Sequence, residues 1–314
     1  MSPRAAVVVG VDVSATDIDA LEWAAAEAAT RGCPLMVVHA VRQMLPVDPY
    51  GLLSITDVDD VLAAAGRAAL AEAARLVRAV APDVELTCCQ VVGAPARVLI
   101  EESRRARLLV LGGRPCGDGP AGPDEPVRRV TRRVVARAVC PVVVVHRGAL
   151  ASDAGSAARI VLDFDDFDEP ASPIGFAFAS ARQRGLPVAA VTAAPPCPGT
   201  RTGPGVAPAF AECRAGNPDV PVVRLLLPAG DPEALVAHCA GAAMAVVGRC
   251  RRRHVPGSGL GAAGEAILAR ARCPVAVVGP RGGSHPRHQR LTRRARAVVE
   301  RLSAACRGWR ITWL

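Results

Sequence analysis

"ARAVCPVVVV" (residues 136–145) and "ARARCPVAVV" (residues 269–278) are two versions of one stretch. Each runs from an arginine-bearing helical end through Cys-Pro into an apolar, β-branched segment. Working outward, the pairing continues. "GCPLMVVHAV" (32–41) returns as "GLPVAAVTAA" (185–194), and "VVVGVD" (7–12) as "IVLDFD" (160–165). "VVGAPARVLI" (91–100) returns as "LPAGDPEALV" (227–236). The order is the same in both halves. A period of about 140 residues is too long for a stacked-repeat array, so the chain holds two copies of one domain.

Within the first copy, short apolar runs alternate with helical patterns. Strands are expected at 5–11, 35–41, 84–91, 108–111 and 142–145, and helices at 17–30, 57–80, 95–105 and 125–138. Proline after cysteine marks the first residue of the closing strand. Strands alternating with helices predict a parallel sheet covered on both faces, an α/β fold. The second copy follows the same plan with a shorter middle. The expected divisions are a domain at 1–148, a small, polar linker at 149–157, a domain at 158–280 and a basic tail at 281–314.

Composition agrees with buried parallel strands. Of 314 residues, 51% are hydrophobic but only 3% aromatic, so Val, Ala and Leu must fill the cores. The chain has no lysine. The net charge of +9 is concentrated in the tail, where residues 281–314 hold nine Arg and one Glu. That leaves the body nearly neutral and implies no broad nucleic-acid-binding face. Eleven cysteines are scattered without a CxxC, which predicts reduced thiols in a cytoplasmic protein and no zinc site. "AAVVVGVD" stops too early for a secretory signal, and no apolar run approaches the about 20 residues of a membrane span.

Ligands of open parallel sheets bind beyond the carboxyl ends of the strands, where strand order reverses. In the first copy those ends carry Asp12, residues 39–41, Gly93, Gly112 and Gly113. In the second they carry Asp165, Thr192, Gly230 and Gly248.

The strand ending in "VGVD", the run "GAPARVLIEESRRARLLVLGG" and the closing "CPVVVV", duplicated in order, resemble the universal stress protein family in its tandem form. The resemblance covers residues 4–146 and 158–279. It implies two Rossmann-like, five-stranded parallel sheets of the adenine nucleotide alpha hydrolase type, with strand order 3-2-1-4-5. It further implies, in many members, ATP held by a Gly-x2-Gly-x9-Gly-(Ser/Thr) loop, with an Asp after the first strand on the adenine side. Other members lack that loop and do not bind ATP.

The chemistry of the loop is simple. Glycine lets backbone N–H groups approach phosphate oxygens, and a helix N-terminus behind it adds donors and partial positive charge. In the first copy Gly112 aligns with the first glycine and Gly113 follows it. Pro115, which has no N–H, replaces the second glycine, and Arg128–Arg129 replace the Gly-Ser. Asp124 and Glu125 stand near the helix start, where they satisfy donors and repel phosphate. That loop reads either as a weakened cradle or as a solvated connection. In the second copy Gly248 is the first glycine, Arg251 the second position, and Gly261 the third, followed by Ala262. "GSGLG" (257–261), with Gly257, Ser258 and Gly259, keeps a loop able to wrap an anion, so this is the better phosphate site. Its adenine side holds Asp165 with Asp163, Asp166 and Asp168 nearby. Those acids form either a Mg²⁺-bridged cluster or an exposed acidic loop.

No G-x-S-x-G, H-E-x-x-H or P-loop lysine is present, and His39 has no nucleophile placed beside it by sequence, so no enzyme is expected. The tail forms a basic amphipathic helix pattern ending in Trp309 and Trp313. It suits packing on the body or a sister subunit, a membrane surface, or a weak nucleic-acid contact. The expected function is non-catalytic stress adaptation through ATP, with Mg²⁺ if bound, and through protein partners or self-association. The alternative is a scaffold built from domains that bind no nucleotide.

Overall fold

The structure is a computed structural model. It describes residues 5–12, 18–41, 55–115, 126–150, 158–163, 171–193, 206–227, 231–249 and 259–279. The tail and most of the linker lie outside them.

The first half runs β1 (Val7–Val11), α1 (Ile18–Arg31), β2 (Leu35–Val41), α2 (Ile55–Val80), β3 (Leu86–Val92), α3 (Pro95–Glu102), β4 (Leu108–Pro115), α4 (Pro126–Arg137) and β5 (Val142–Arg147). The second half repeats this as β6 (Ile160–Asp163), α5 (Ala171–Arg184), β7 (Val188–Ala193), α6 (Val206–Ala215), β8 (Val222–Leu227), α7 (Pro232–His238), β9 (Met244–Gly248), α8 (Ala262–Arg270) and β10 (Val275–Val278). Valine-rich strands are buried on both faces, as in β5, where every residue from Val142 to His146 is buried. That burial fits helices on each side of a parallel sheet.

The repeated Gly-x-Pro has a local cause. Gly32 ends α1 at φ +56° and Gly185 ends α5 at φ +64°, in the left-handed region that favours glycine. The N–H of Cys33 then donates to the Ala28 carbonyl at 3.1 Å, and that of Leu186 to Ala181 at 2.9 Å. Both turns are Schellman closures that aim the chain into the next strand.

Each half has the expected order, β3-β2-β1-β4-β5 and β8-β7-β6-β9-β10, and the two halves share one ten-stranded sheet. They meet where β5 and β10 pair antiparallel, with Val275 opposite Val144 and Val277 opposite Val142. The stretch with which the repeat announces itself therefore pairs with its own echo, about a pseudo-two-fold axis. One apolar core lies under α1, α2, α5 and α6, and another under α3, α4, α7 and α8; both run through the junction. On the first face the buried Glu27 of α1 accepts from Arg31 Nε at 2.5 Å and from Arg184 of α5, and the Arg31 guanidinium lies 5.7 Å from the centre of the Phe176 ring.

Candidate functional site

The carboxyl ends of the parallel strands, where open sheets of this kind take ligands, form one candidate site in each half. Because β5 and β10 pair antiparallel, groups at the carboxyl ends of the strands of each half reach the last helix of the other, His146 to the Leu268 carbonyl of α8 and Arg249 to the Val135 carbonyl of α4.

In the first cleft, β1 ends just before the exposed Asp12. Strand β4 does not stop at Leu111 as expected. It continues through Gly112 and Gly113 to Pro115, pairing Gly112 with Val145 and, after a register shift, Pro115 with Arg147. The two glycines expected to open a loop are strand residues. Their smallness has a packing cause at Gly113, where a Cβ would lie 2.3 Å from Nδ1 of His146. Asp124 and Glu125 lie outside the described residues.

His146 itself is buried, and its ring bonds through Nε2 to the Leu268 carbonyl of α8, 2.9 Å away in the other half. The second half solves the same problem in reverse. There Arg249, just past β9, occupies the place of Gly113, and Gly279, just past β10, occupies the place of His146. A Cβ on Gly279 would lie 1.6 Å from Nη2 of Arg249. Nη1 of Arg249 donates to the Val135 carbonyl of α4 at 3.3 Å. Leu268 and Val135 are matching positions in the last turns of α8 and α4, where carbonyls lack helical partners. So a histidine from one strand and an arginine from another satisfy equivalent carbonyls across the junction. A long side chain beside a glycine was the available sequence signal for both, visible once the repeat is aligned.

In the second cleft, β9 ends on Gly248 and α8 begins at Ala262. Gly259 has φ +75°, and Gly261 is the helix N-cap, which as glycine offers no side chain to the helix donors. Between them Leu260 is fully buried, with Gly264 packed on it so closely that a Cβ there would stand 3.3 Å from the Leu260 Cβ. This end of "GSGLG" is thus pinned by an apolar anchor that sequence reasoning passed over. Gly257 and Ser258 lie outside the described residues. Glu265, the acid in the first turn of α8, bonds to Nη2 of Arg132 from α4 at 3.2 Å, which offsets its charge. Of the acids expected at this strand end, Asp163 is the last residue of β6 and is buried, and its charge is felt by Cys239, the C-cap of α7. Asp165, Asp166 and Asp168 lie outside the described residues. Among the described residues, no group of three or more His, Cys, Asp or Glu could hold a metal.

His39, at the end of β2, is buried with Nδ1 3.0 Å from the Val11 carbonyl, and its ring fills the space left by Gly66 of α2. It packs rather than facing the cleft. The described cysteines are free thiols. Burial pushes Cys140 up to about 12, and a hydrogen bond with Cys273, followed by burial, raises Cys239 further. No described helix is long and apolar enough to cross a membrane.

The comparisons with known proteins agree with this architecture. The sequence model described as "Universal stress protein family" matches residues 4–146. Universal stress proteins of Mycobacterium bovis and Mycobacterium tuberculosis are each 31% identical over 290 residues, covering 86% of this chain and 96% of the relative. Among solved structures, a universal stress protein from Archaeoglobus fulgidus superposes with a TM-score of 0.68 at 17% identity, covering 88% of this chain and 98% of that one. That likeness shows the fold, and the mycobacterial relatives span both halves. The chain belongs to the universal stress protein family.

Proposed function

We propose that the protein is a non-catalytic, cytoplasmic stress-adaptation factor whose second cleft takes an adenine nucleotide, with ATP and Mg²⁺ the natural pair. The observation that carries this reading is the start of α8. A strand ends on Gly248, the chain returns through a left-handed Gly259, and Gly261 opens the helix without a side-chain cap. Backbone donors at such a start suit phosphate oxygens. The residues that would hold phosphate are Gly248, Gly259 and Gly261, with the N–H groups of Ala262 and Ala263; Ser258 would add a hydroxyl and Asp165 the adenine-side contact. The pairing of Glu265 with Arg132 lowers the repulsion an anion would meet there.

In the first half Asp12, Gly112 and Gly113 stand at the matching places, but β4 consumes the glycines as strand. This favours the second cleft over the first. The shared sheet and the two continuous cores favour a second reading, a scaffold that binds no nucleotide. One experiment separates them. The purified chain is denatured and assayed for released adenine nucleotide, then fresh protein is titrated calorimetrically with MgATP. Released nucleotide or saturable heat supports the regulator; neither, at millimolar ATP, leaves the scaffold. Steady ATP turnover abolished by a single cleft substitution would overturn both.

A further inference from the structure

We propose that the outer face of α4 docks on a nucleic-acid phosphate backbone. This helix reads PVRRVTRRVVAR, with five arginines and no acid. Arg129, Arg133 and Arg137 recur every fourth residue and are all exposed, while Val134 and Val135 are buried beneath them. Four helical residues advance about 6 Å, so the three guanidinium groups form one stripe along the helix. Like charges at this spacing disfavour a helix. Among the described residues no acid reaches Arg133 or Arg137. Of the acids on the helices beside α4, Glu101 pairs with Arg104 at 3.0 Å and Glu265 with Arg132 at 3.2 Å, while Glu102 is partly buried near Arg105.

The fold does not need this stripe. The matching positions of α8 are Ala262, Ala266 and Arg270, and Arg270 is neutralised by Glu233 of α7. The same helix in the same layer is therefore built without an arginine row in the other half. Between Arg129 and Arg137 the described residues expose no large apolar or aromatic side chain; Val139, just past the stripe, is the nearest exposed one. A membrane-surface helix needs an apolar face to insert, and the arginine anchors of a protein interface act in desolvated pockets packed with apolar and aromatic neighbours, which this stripe lacks. A row of guanidinium forks with nothing apolar between them suits phosphates, which they can bind bidentately. The near-neutrality of the body hid this, because a net charge sums over the chain and says nothing of where each charge stands.

The test is fluorescence anisotropy on the full chain, with a labelled mixed-sequence DNA duplex and a single-stranded RNA of equal length, between about 50 and 200 mM salt. The tighter of the two identifies the source of the phosphates. In R129Q/R133Q/R137Q the salt slope is expected to flatten by about 2.7, and the advantage of low over high salt to shrink about forty-fold. The control R67Q/R182Q/R214Q removes the same charge from exposed sites on the opposite helix layer and is expected to leave the slope alone. Circular dichroism checks that both variants keep their helices. An unchanged slope in the α4 variant overturns the proposal, as does an equal loss in the control, which would make net charge the cause. So does complete loss in R293Q/R294Q/R296Q with α4 intact, which would place the contact in the tail. A poly-glutamate peptide that binds α4 more tightly than either nucleic acid would replace the proposed partner with an acidic protein.

Discussion

Gly113→Ala places a Cβ 2.3 Å from Nδ1 of His146 and 2.8 Å from its Cε1. The neighbour is a rigid ring, buried, and held by a bond of 2.9 Å to the Leu268 carbonyl. It cannot yield without turning, and turning breaks that bond. Overpacking of this kind costs about 1–3 kcal/mol, and a buried carbonyl left without its partner about 1–3 kcal/mol more. A loss of about 2–4 kcal/mol is expected, allowing for partial relaxation. His146→Gly alone removes the same cross-junction bond. Once it is present, Gly113→Ala meets open space, so the double variant should be about 2 kcal/mol more stable than the sum of the single changes predicts. In the other half Gly279→Ala brings a Cβ to 1.6 Å from Arg249, nominally a worse clash. There the neighbour is the end of a flexible side chain, tied to Val135 at 3.3 Å. It can swing away, so this change should cost about 1 kcal/mol. The assay is urea unfolding followed by far-UV circular dichroism with linear extrapolation. Additivity of Gly113→Ala and His146→Gly within about 0.5 kcal/mol would refute the reasoning, as would Gly279→Ala proving the more damaging of the two glycine changes.

Glu27→Ala should be among the most destabilising single changes, by about 3–5 kcal/mol, since it strands Arg31 and Arg184 in a largely buried site; thermal melts would show it, and a change under about 1 kcal/mol would mean the cluster contributes little. Asp231→Ala removes the N-cap of α7, whose Oδ1 accepts from the N–H groups of Glu233 and Ala234 at 3.0 and 3.1 Å, and should cost about 1 kcal/mol by the same assay. The buried Cys140 holds its proton up to about 12 against 9.0 for the ordinary thiol. The folded state thus binds more proton than the unfolded state in that window, so its contribution is intact below pH 9.0 and is lost as pH rises toward about 12. Unfolding at stepped alkaline pH should show stability falling more steeply for the parent than for Cys140→Ala. If MgATP binds, Gly261→Arg should abolish the heat and Gly112→Arg should matter less; the opposite ranking would put the nucleotide in the first cleft.

Much of the fold was legible because each half states it locally. The valine runs, the prolines ahead of the closing strands and the left-handed Gly32 and Gly185 act within a few residues of themselves. The site was less legible, because glycine has two uses. At Gly259 and Gly261 it shapes a turn and a helix start, whereas at Gly113 it makes room for His146. Both look alike in a string of letters. Leu260 was passed over for the same reason, as a lone apolar residue between glycines gives no periodic signal.

A duplicated α/β unit and the loops at the carboxyl ends of its strands could be read from the letters alone, and the strand order came with the family resemblance. The first was possible because hydrophobic period and turn chemistry are near-neighbour effects. It took the tertiary structure to show that the halves share one ten-stranded sheet, that His146 and Arg249 reach equivalent carbonyls across the junction, and that Arg129, Arg133 and Arg137 are exposed along α4 above the buried Val134 and Val135. Pairing of β5 with β10 brings together residues about 130 apart in the chain, and no local pattern encodes such a contact.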